Sequence, residues 1–284
     1  MKQIILELLK FIKNPEDKQL ENQSLKNKLK YLFAFYLFEI VIVFLIILPI
    51  HALISNFETI TTEPRINYEM NSLLLSLALV VFLAPIIEEI AFRLILRRKG
   101  IIKYFFSEKT WHKIFKYLVY ASFITFGIIH LSNYENTSIV FYLLSPIIIL
   151  SQLISGFTLA FLRVKFNFYW SVLSHIFWNF TIVFIIQPID FALRTPYQTN
   201  NSEYNIFIDA KVFSDIDRQK FKIDSANNKI YKVDIQDYSI NHILDSIYKF
   251  KRKEEDFVID VNFNSKKGID KNQFKEILIK YAEE

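Results

Sequence analysis

The stretch LLLSLALVVFLAPIIEEIAFRLIL, Leu73 to Leu96, decides how this chain is read. Apart from Ser76, its only polar side chains are Glu88, Glu89 and Arg93. The run is long enough to cross a bilayer as a helix. An ionisable side chain at that depth costs several kcal/mol, so it marks a functional site turned to the protein interior or a wet cavity. Partners for these three side chains must come from elsewhere in the chain.

The composition agrees with a membrane setting. Hydrophobic residues make up 52% of the 284 residues, aromatic residues 17%, and mean hydropathy is +0.23. That is more apolar than an ordinary soluble domain. There is no cysteine, which excludes disulfides, thiolate nucleophiles and Cys-ligated metals. The net charge of +5 fits lysines in cytoplasmic loops. No groove-binding or base-stacking motif accompanies it, so no nucleic-acid partner is expected.

Residues 1–30 read as an amphipathic interfacial segment. Ile4, Ile5, Leu8, Leu9 and Ile12 fall at helical spacing, with Lys2, Glu7 and Lys10 between them. Internal charges and the lack of a small-residue cleavage site favour a helix lying on the membrane over a signal peptide. Five spans follow: Leu32 to Ile54, Leu73 to Leu96, Tyr117 to Leu131, Ile139 to Phe161 and Phe168 to Ile186. Residues 55–71 read as a polar loop and 101–116, with Trp111 and His112, as an interfacial stretch. Glu39, in the first span, is expected to face other helices. Positive flanks place the amino terminus in the cytoplasm, and five spans then put the carboxyl-terminal region outside.

After about residue 197 the pattern changes to period two, with Tyr204, Ile206 and Ile208 on one face and Tyr231, Val233 and Ile235 on another. Asn227-Asn228 reads as a hairpin turn. Helices are expected over Ile240 to Phe250 and Phe274 to Tyr281, the latter capped by Asp270, with a strand from Phe257 to Phe263. Asp260-x-Asn262-x-Asn264 starts like a calcium loop, but Ser265 and Lys271 stand where glycine and glutamate are needed, which rejects calcium. The fold class is therefore an all-α polytopic bundle over 31–195, followed by a small soluble α+β domain over 197–284. No motif in that domain names a chemistry, and its expected role is to bind an unidentified partner.

The other intramembrane polar residues are Gln152, His130, His175 and Asn179. Phe126 and His130 share a helix face, as do His175 and Asn179. Glu89 and Arg93 can pair at i,i+4, while Glu88 projects roughly 100° away. A rise of 1.5 Å per residue puts Glu88, His175 and His130 about 14, 10 and 20 Å from the cytoplasmic ends of their spans. Three helices can thus bring these groups to one buried polar pocket.

Glu88-Glu89-x-x-x-Arg93, Phe126-x-x-x-His130 and His175-x-x-x-Asn179, in that order on separate helices, resemble the CPBP family of CAAX-processing and bacteriocin-processing (Abi) intramembrane proteases. Gly156, Arg163 and Trp170-Ser171 also look like the family, whereas Leu94 stands where many members carry glycine. The resemblance covers roughly residues 70–190. It implies an intramembrane endopeptidase acting on a hydrophobic peptide or membrane-associated protein. Glu88 would be the general base, His130 would orient the water, and His175 and Asn179 would hold the oxyanion, with Glu89, Arg93 and Phe126 in support. A catalytic zinc ion on Glu88, His130 and His175 is the competing arrangement. The alternative functions are a non-catalytic scaffold or immunity protein on the same fold and a proton-coupled transporter. The complete motif set argues against the first, and the absence of internal repeats against the second. The Lys/Asn/Ile/Phe-rich composition points to the cytoplasmic membrane of a bacterium.

Overall fold

A computed structural model describes residues 1–54, 72–134, 138–186, 188–189, 193–250 and 256–283. The polar loop expected over 55–71 lies outside the described residues. Among them, five helices are long and apolar enough to cross a membrane: Leu25–Ile54, Leu73–Arg93, Glu108–Asn133, Ile139–Lys165 and Phe168–Ile186. These are the five expected spans. Large apolar side chains such as Leu45, Leu53, Leu74 and Leu143 lie exposed on them, as lipid contact requires. The chain divides into two compact units, one of Met1–Arg65 with Val80–Asn179 and one of Ile66–Leu79 with Phe180–Glu284.

In the first unit, two spans begin earlier than hydropathy suggests because serines cap them. Ser24 Oγ accepts the Asn27 N–H at 3.2 Å, and Ser107 Oγ accepts that of Thr110 at 3.1 Å. The first turns after these caps carry lysines, which a hydropathy average discounts although their stems can lie along apolar surface. The interfacial stretch expected over 101–116 is thus partly the start of the third span. Trp111 turns inward, 2% exposed, and donates its indole N–H to Asp17 at 2.9 Å. Asp17 also accepts from the Arg97 side chain at 3.0 Å and the Arg98 N–H at 3.2 Å.

The amino-terminal helix Lys2–Lys13 forms as expected. Its apolar stripe of Ile4, Leu8 and Phe11 packs into the protein's own core, with Phe35, Trp111, Phe115 and Phe161.

The second span stops at Arg93 rather than Leu96. Arg163 Nε and Nη2 donate to the carbonyls of Arg93 at 2.9 Å and Leu94 at 3.0 Å, satisfying groups that a helix end leaves open. Within this span the middle is wide. Leu73–Ser76 is α-helical, Leu77–Leu83 is π-helical, and Ala84–Arg93 is α-helical again. In the π pattern a carbonyl takes the N–H five residues on. Pro85 has no N–H, so the carbonyl of Val80 is left without that donor.

The fourth span is broken into Ile139–Ile148 and Leu150–Lys165. Pro146 cannot donate to the Tyr142 carbonyl, and Ser145 Oγ does so instead at 2.8 Å. His51 Nε2 donates to the Ile148 carbonyl at the break, at 3.1 Å. The second half approaches the third span closely. A Cβ on Gly156 would lie 2.9 Å from Phe123 Cβ.

The second unit holds a five-stranded antiparallel sheet in the order β1-β2-β5-β4-β3. The strands are β1 (Tyr197–Asn200), β2 (Asn205–Lys211), β3 (Lys220–Ala226), β4 (Lys229–Ser239) and β5 (Val258–Asp270). Helices Ile240–Tyr248 and Lys271–Glu283 supply Ile243, Leu244, Phe274 and Leu278 to its core. Asn227 and Asn228, with φ of 51° and 60°, make the expected hairpin turn. Asp270 accepts the Asn272 N–H at 2.8 Å and caps the last helix. Strand β5 is longer than expected. An irregularity between Ile230 and Lys232 changes the phase of β4, so Ile230 rather than Tyr231 joins Val233 and Ile235 in the core. The would-be calcium residues lie in β5, where Asp260 accepts the Asp237 N–H at 3.0 Å.

Two predictions follow from this packing. Gly156→Ala is expected to cost about 1–3 kcal/mol by overpacking, measured by thermal unfolding of the detergent-solubilised protein. Asp237, at φ 55°, is 7% exposed and accepts the Asp215 N–H at 3.1 Å. Burial, with Asp260 and Asp215 nearby, holds its carboxyl above its ordinary value of 3.8. The folded state therefore binds its proton more tightly than the unfolded chain does, and stability falls as pH rises from 3.8 through the raised value. Asp237→Asn keeps the acceptor and tolerates the backbone. Amide exchange in β4 and β5 should slow in this variant at pH 7 relative to wild type, and the gain should vanish at pH 3.

Candidate active site

The second, third and fifth spans build the site. Glu89 and Arg93 lie one turn apart with fully buried side chains, Arg93 Nη1 standing 3.2 Å from Glu89 Oε1. The same Glu89 oxygen accepts from His175 Nδ1 at 3.1 Å. The other ring nitrogen, Nε2, faces Glu88 Oε2 at 3.5 Å. The His175 ring therefore sits between the two adjacent carboxylates. Their exposures differ: 28% of the Glu88 side chain is accessible and none of Glu89.

Phe126 joins the remaining groups. The Arg93 guanidinium lies 3.8 Å from its ring centroid, a cation–π contact. The His175 ring meets Phe126 edge-on at 5.8 Å, and His130 does so at 4.7 Å. His130 begins the short 3-10 turn His130–Asn133 that ends the third span. Its Nδ1–H donates to the Phe126 carbonyl at 2.7 Å, leaving Nε2 with a free lone pair. Ser122 Oγ, one turn before Phe126, donates to the Phe92 carbonyl at 2.8 Å and ties the third span to the second.

The expected residues thus come together as Glu88, Glu89, Arg93, Phe126, His130 and His175. Asn179 is on the expected face of the fifth span, but its Nδ2 donates to the backbone carbonyl of Val80 at 2.9 Å. Gln152 does not join the cluster; its Oε1 accepts from neighbouring Ser151 at 2.7 Å. Glu39 faces other helices, as expected. Ser155 Oγ donates to it at 2.7 Å and Thr158 Oγ1 also donates to it. Sequence reasoning missed Pro85, whose absent N–H creates the partner for Asn179. The signal for it was a proline three residues before the paired carboxylates.

Several polar atoms of the cluster, Glu88 Oε2, Glu89 Oε2 and all three Arg93 nitrogens, are buried without a protein hydrogen-bond partner. Arg93 and Glu89 are offset by their ion pair, which leaves Glu88, with a partly accessible side chain, as the group open to water or a bound molecule. A zinc ion is a poorer fit. Among the described residues no three His, Asp or Glu side chains are grouped as a metal requires, so the Glu88, His130 and His175 set is not assembled as ligands.

Residues 70–181 match the family model described as Rce1-like, type II CAAX prenyl endopeptidase. That family is one of proteases. Five helices long and apolar enough to cross a membrane make the protein a multi-pass membrane protein. The matched segment contains every residue of the cluster, and Asn179, but excludes the first span and the sheet. No curated protein and no solved structure matches the chain.

The two carboxylates differ in what they hold. Removing Glu89 leaves Arg93 charged and unpaired in the interior, so Glu89→Ala is expected to cost about 3–5 kcal/mol. Glu88→Ala, at a partly exposed position with no hydrogen bond, is expected to cost under about 1 kcal/mol. Thermal unfolding of the two variants, side by side in one detergent, measures the difference.

Proposed function

We propose that this protein is an intramembrane endopeptidase that hydrolyses a peptide bond in a membrane-associated substrate, with Glu88 as general base. The observation that carries the proposal is the His175 ring held between a buried carboxylate and a partly exposed one. Glu89 fixes the ring through Nδ1 and Arg93 balances its charge. That leaves Glu88 and Nε2 facing each other at the accessible side.

In the proposed reaction Glu88 removes a proton from a water molecule whose oxygen attacks the scissile carbonyl carbon. His130 Nε2, free because Nδ1 is tied to the Phe126 carbonyl, accepts a hydrogen bond from that water and orients it. His175, when protonated at Nε2, donates to the oxyanion of the tetrahedral intermediate. Glu88 then passes the proton to the leaving amine nitrogen as the carbon–nitrogen bond breaks. No step runs through a metal. The membrane part, 31–195, carries the chemistry, and the domain over 197–284 binds a partner. A hydrophobic peptide or a membrane-associated protein is the proposed substrate, and a bacterial cytoplasmic membrane the proposed location.

Glu88→Ala is expected to lower cleavage by at least about 10²-fold while the protein stays folded in membranes. Comparative peptidomics of cells carrying wild type or this variant provides the measurement. Peptides that appear only with wild type support the proposal; identical peptide sets reject it in favour of a scaffold. Activity of the purified protein should survive a zinc chelator, and loss that zinc restores would establish the metal-dependent arrangement instead.

A further inference from the structure

We propose that Asn179 is a positioning residue that closes the backbone gap made by Pro85, rather than a donor to the reacting carbonyl. Its catalytic consequence rests on the peptide-hydrolysis reading above; its structural consequence does not.

The π-helical stretch Leu77–Leu83 runs up to the point where Pro85 would be the next donor. Pro85 has no N–H, and the carbonyl it would serve in the i→i+5 pattern is that of Val80. Asn179 Nδ2 donates to that carbonyl at 2.9 Å. In hydrocarbon no water is at hand to take over the task, so a backbone carbonyl freed by proline needs a side-chain donor. Asparagine suits it because its amide carries two donors on a short stem.

The bond has a geometric consequence for the site. Val80 lies two turns before Glu88 on the same span, where the wide π stretch gives way to the α-helix Ala84–Arg93. The helical phase set at this point decides which way Glu88 and Glu89 point. A register change of one residue rotates every later side chain by about 100°, which would break the contacts of both carboxylates with the two nitrogens of His175. Asn179 is one turn beyond His175 on the fifth span. One face of one helix therefore supplies both the ring and the cap that aims the carboxylates at it. The N–H given to Val80 is not available to a substrate carbonyl, and the bond fixes the direction of the whole amide.

The test is a double-mutant cycle. Pro85→Ala restores an N–H able to serve the Val80 region, so it should make Asn179 dispensable. In the substrate-free protein Asn179→Ala is expected to lower the melting temperature by about 2–6 °C. With a prenylated CAAX reporter peptide it should lower kcat by about tenfold or more while KM changes by less than about twofold. The Asn179→Ala, Pro85→Ala double variant should return to within about threefold of Pro85→Ala in kcat and should recover its melting temperature. An unchanged melting temperature in Asn179→Ala overturns the proposal. So does a kcat defect that persists in the double variant, which is the behaviour of an oxyanion donor. If Pro85→Ala does not fold, Asn179→Asp decides. Its carboxylate cannot donate at neutral pH, so the melting temperature must fall at least as far as in Asn179→Ala, and no fall overturns the cap. If wild type does not cleave this reporter, a peptide found by the peptidomics comparison takes its place; if that comparison finds none, it is the hydrolysis reading that fails, and the melting temperatures still test the bond to Val80.

Discussion

The contact on which this membrane core depends is the buried pairing of Arg93 with Glu89. A guanidinium withdrawn from water inside a membrane helix is tolerated only with an anion beside it, and a carboxylate only with a cation. Neither side chain reaches solvent, so each fixes the other. The pairing draws in two more spans. The fifth span's His175 donates to the same Glu89 oxygen, and the third span's Phe126 offers its ring face to the guanidinium. Arg93 is held at both ends, since its backbone carbonyl accepts from Arg163 of the fourth span. One residue thereby gathers four of the five spans.

The spans are irregular, and several of the irregularities have a donor assigned to them. Ser145 serves the Tyr142 carbonyl that Pro146 abandons. His51 serves Ile148 where the fourth span breaks, Ser122 serves Phe92, and Asn179 serves Val80. In water these carbonyls would be hydrated; in hydrocarbon the protein must supply the hydrogen bond. A polar residue within an apolar span therefore has two quite different uses. Some complete the backbone of a neighbouring helix, and some are left over for chemistry. Glu88, with an oxygen that no protein donor satisfies, is placed in the second group by the proposed reaction.

This division explains what was legible in the sequence. The spans could be read because hydrophobic run length is a property of the chain alone, and Glu89 with Arg93 because i,i+4 spacing fixes their separation. His175 and His130 stood out by the cost of placing them in lipid. That same cost drew attention to Asn179 without showing what it bonds, because the acceptor is created by a proline nearly a hundred residues away. Residue type alone suits Trp111 to the interface, and Asp17, which turns it inward, lies in a segment with no periodic pattern. In the sheet, alternation placed Val233 and Ile235 correctly, but the local irregularity beside Tyr231 shifted the phase and put Ile230 in the core.

Why the acidic pair is adjacent follows from the same geometry. Residues i and i+1 of a helix point about 100° apart, so one can be wholly interior while its neighbour reaches the edge of the site. Glu89 must be dry, because its value is to hold Arg93 and His175 in place. In the proposed reaction Glu88 must be reachable by water, because a base that cannot touch its substrate does no chemistry. The two positions meet again at the imidazole, Nδ1 on Glu89 and Nε2 on Glu88. A rigid five-membered ring thus transmits the fixed geometry of the buried ion pair to the accessible carboxylate. Carboxylates a full turn apart would stack along one face and leave both in the same environment, with neither free to specialise.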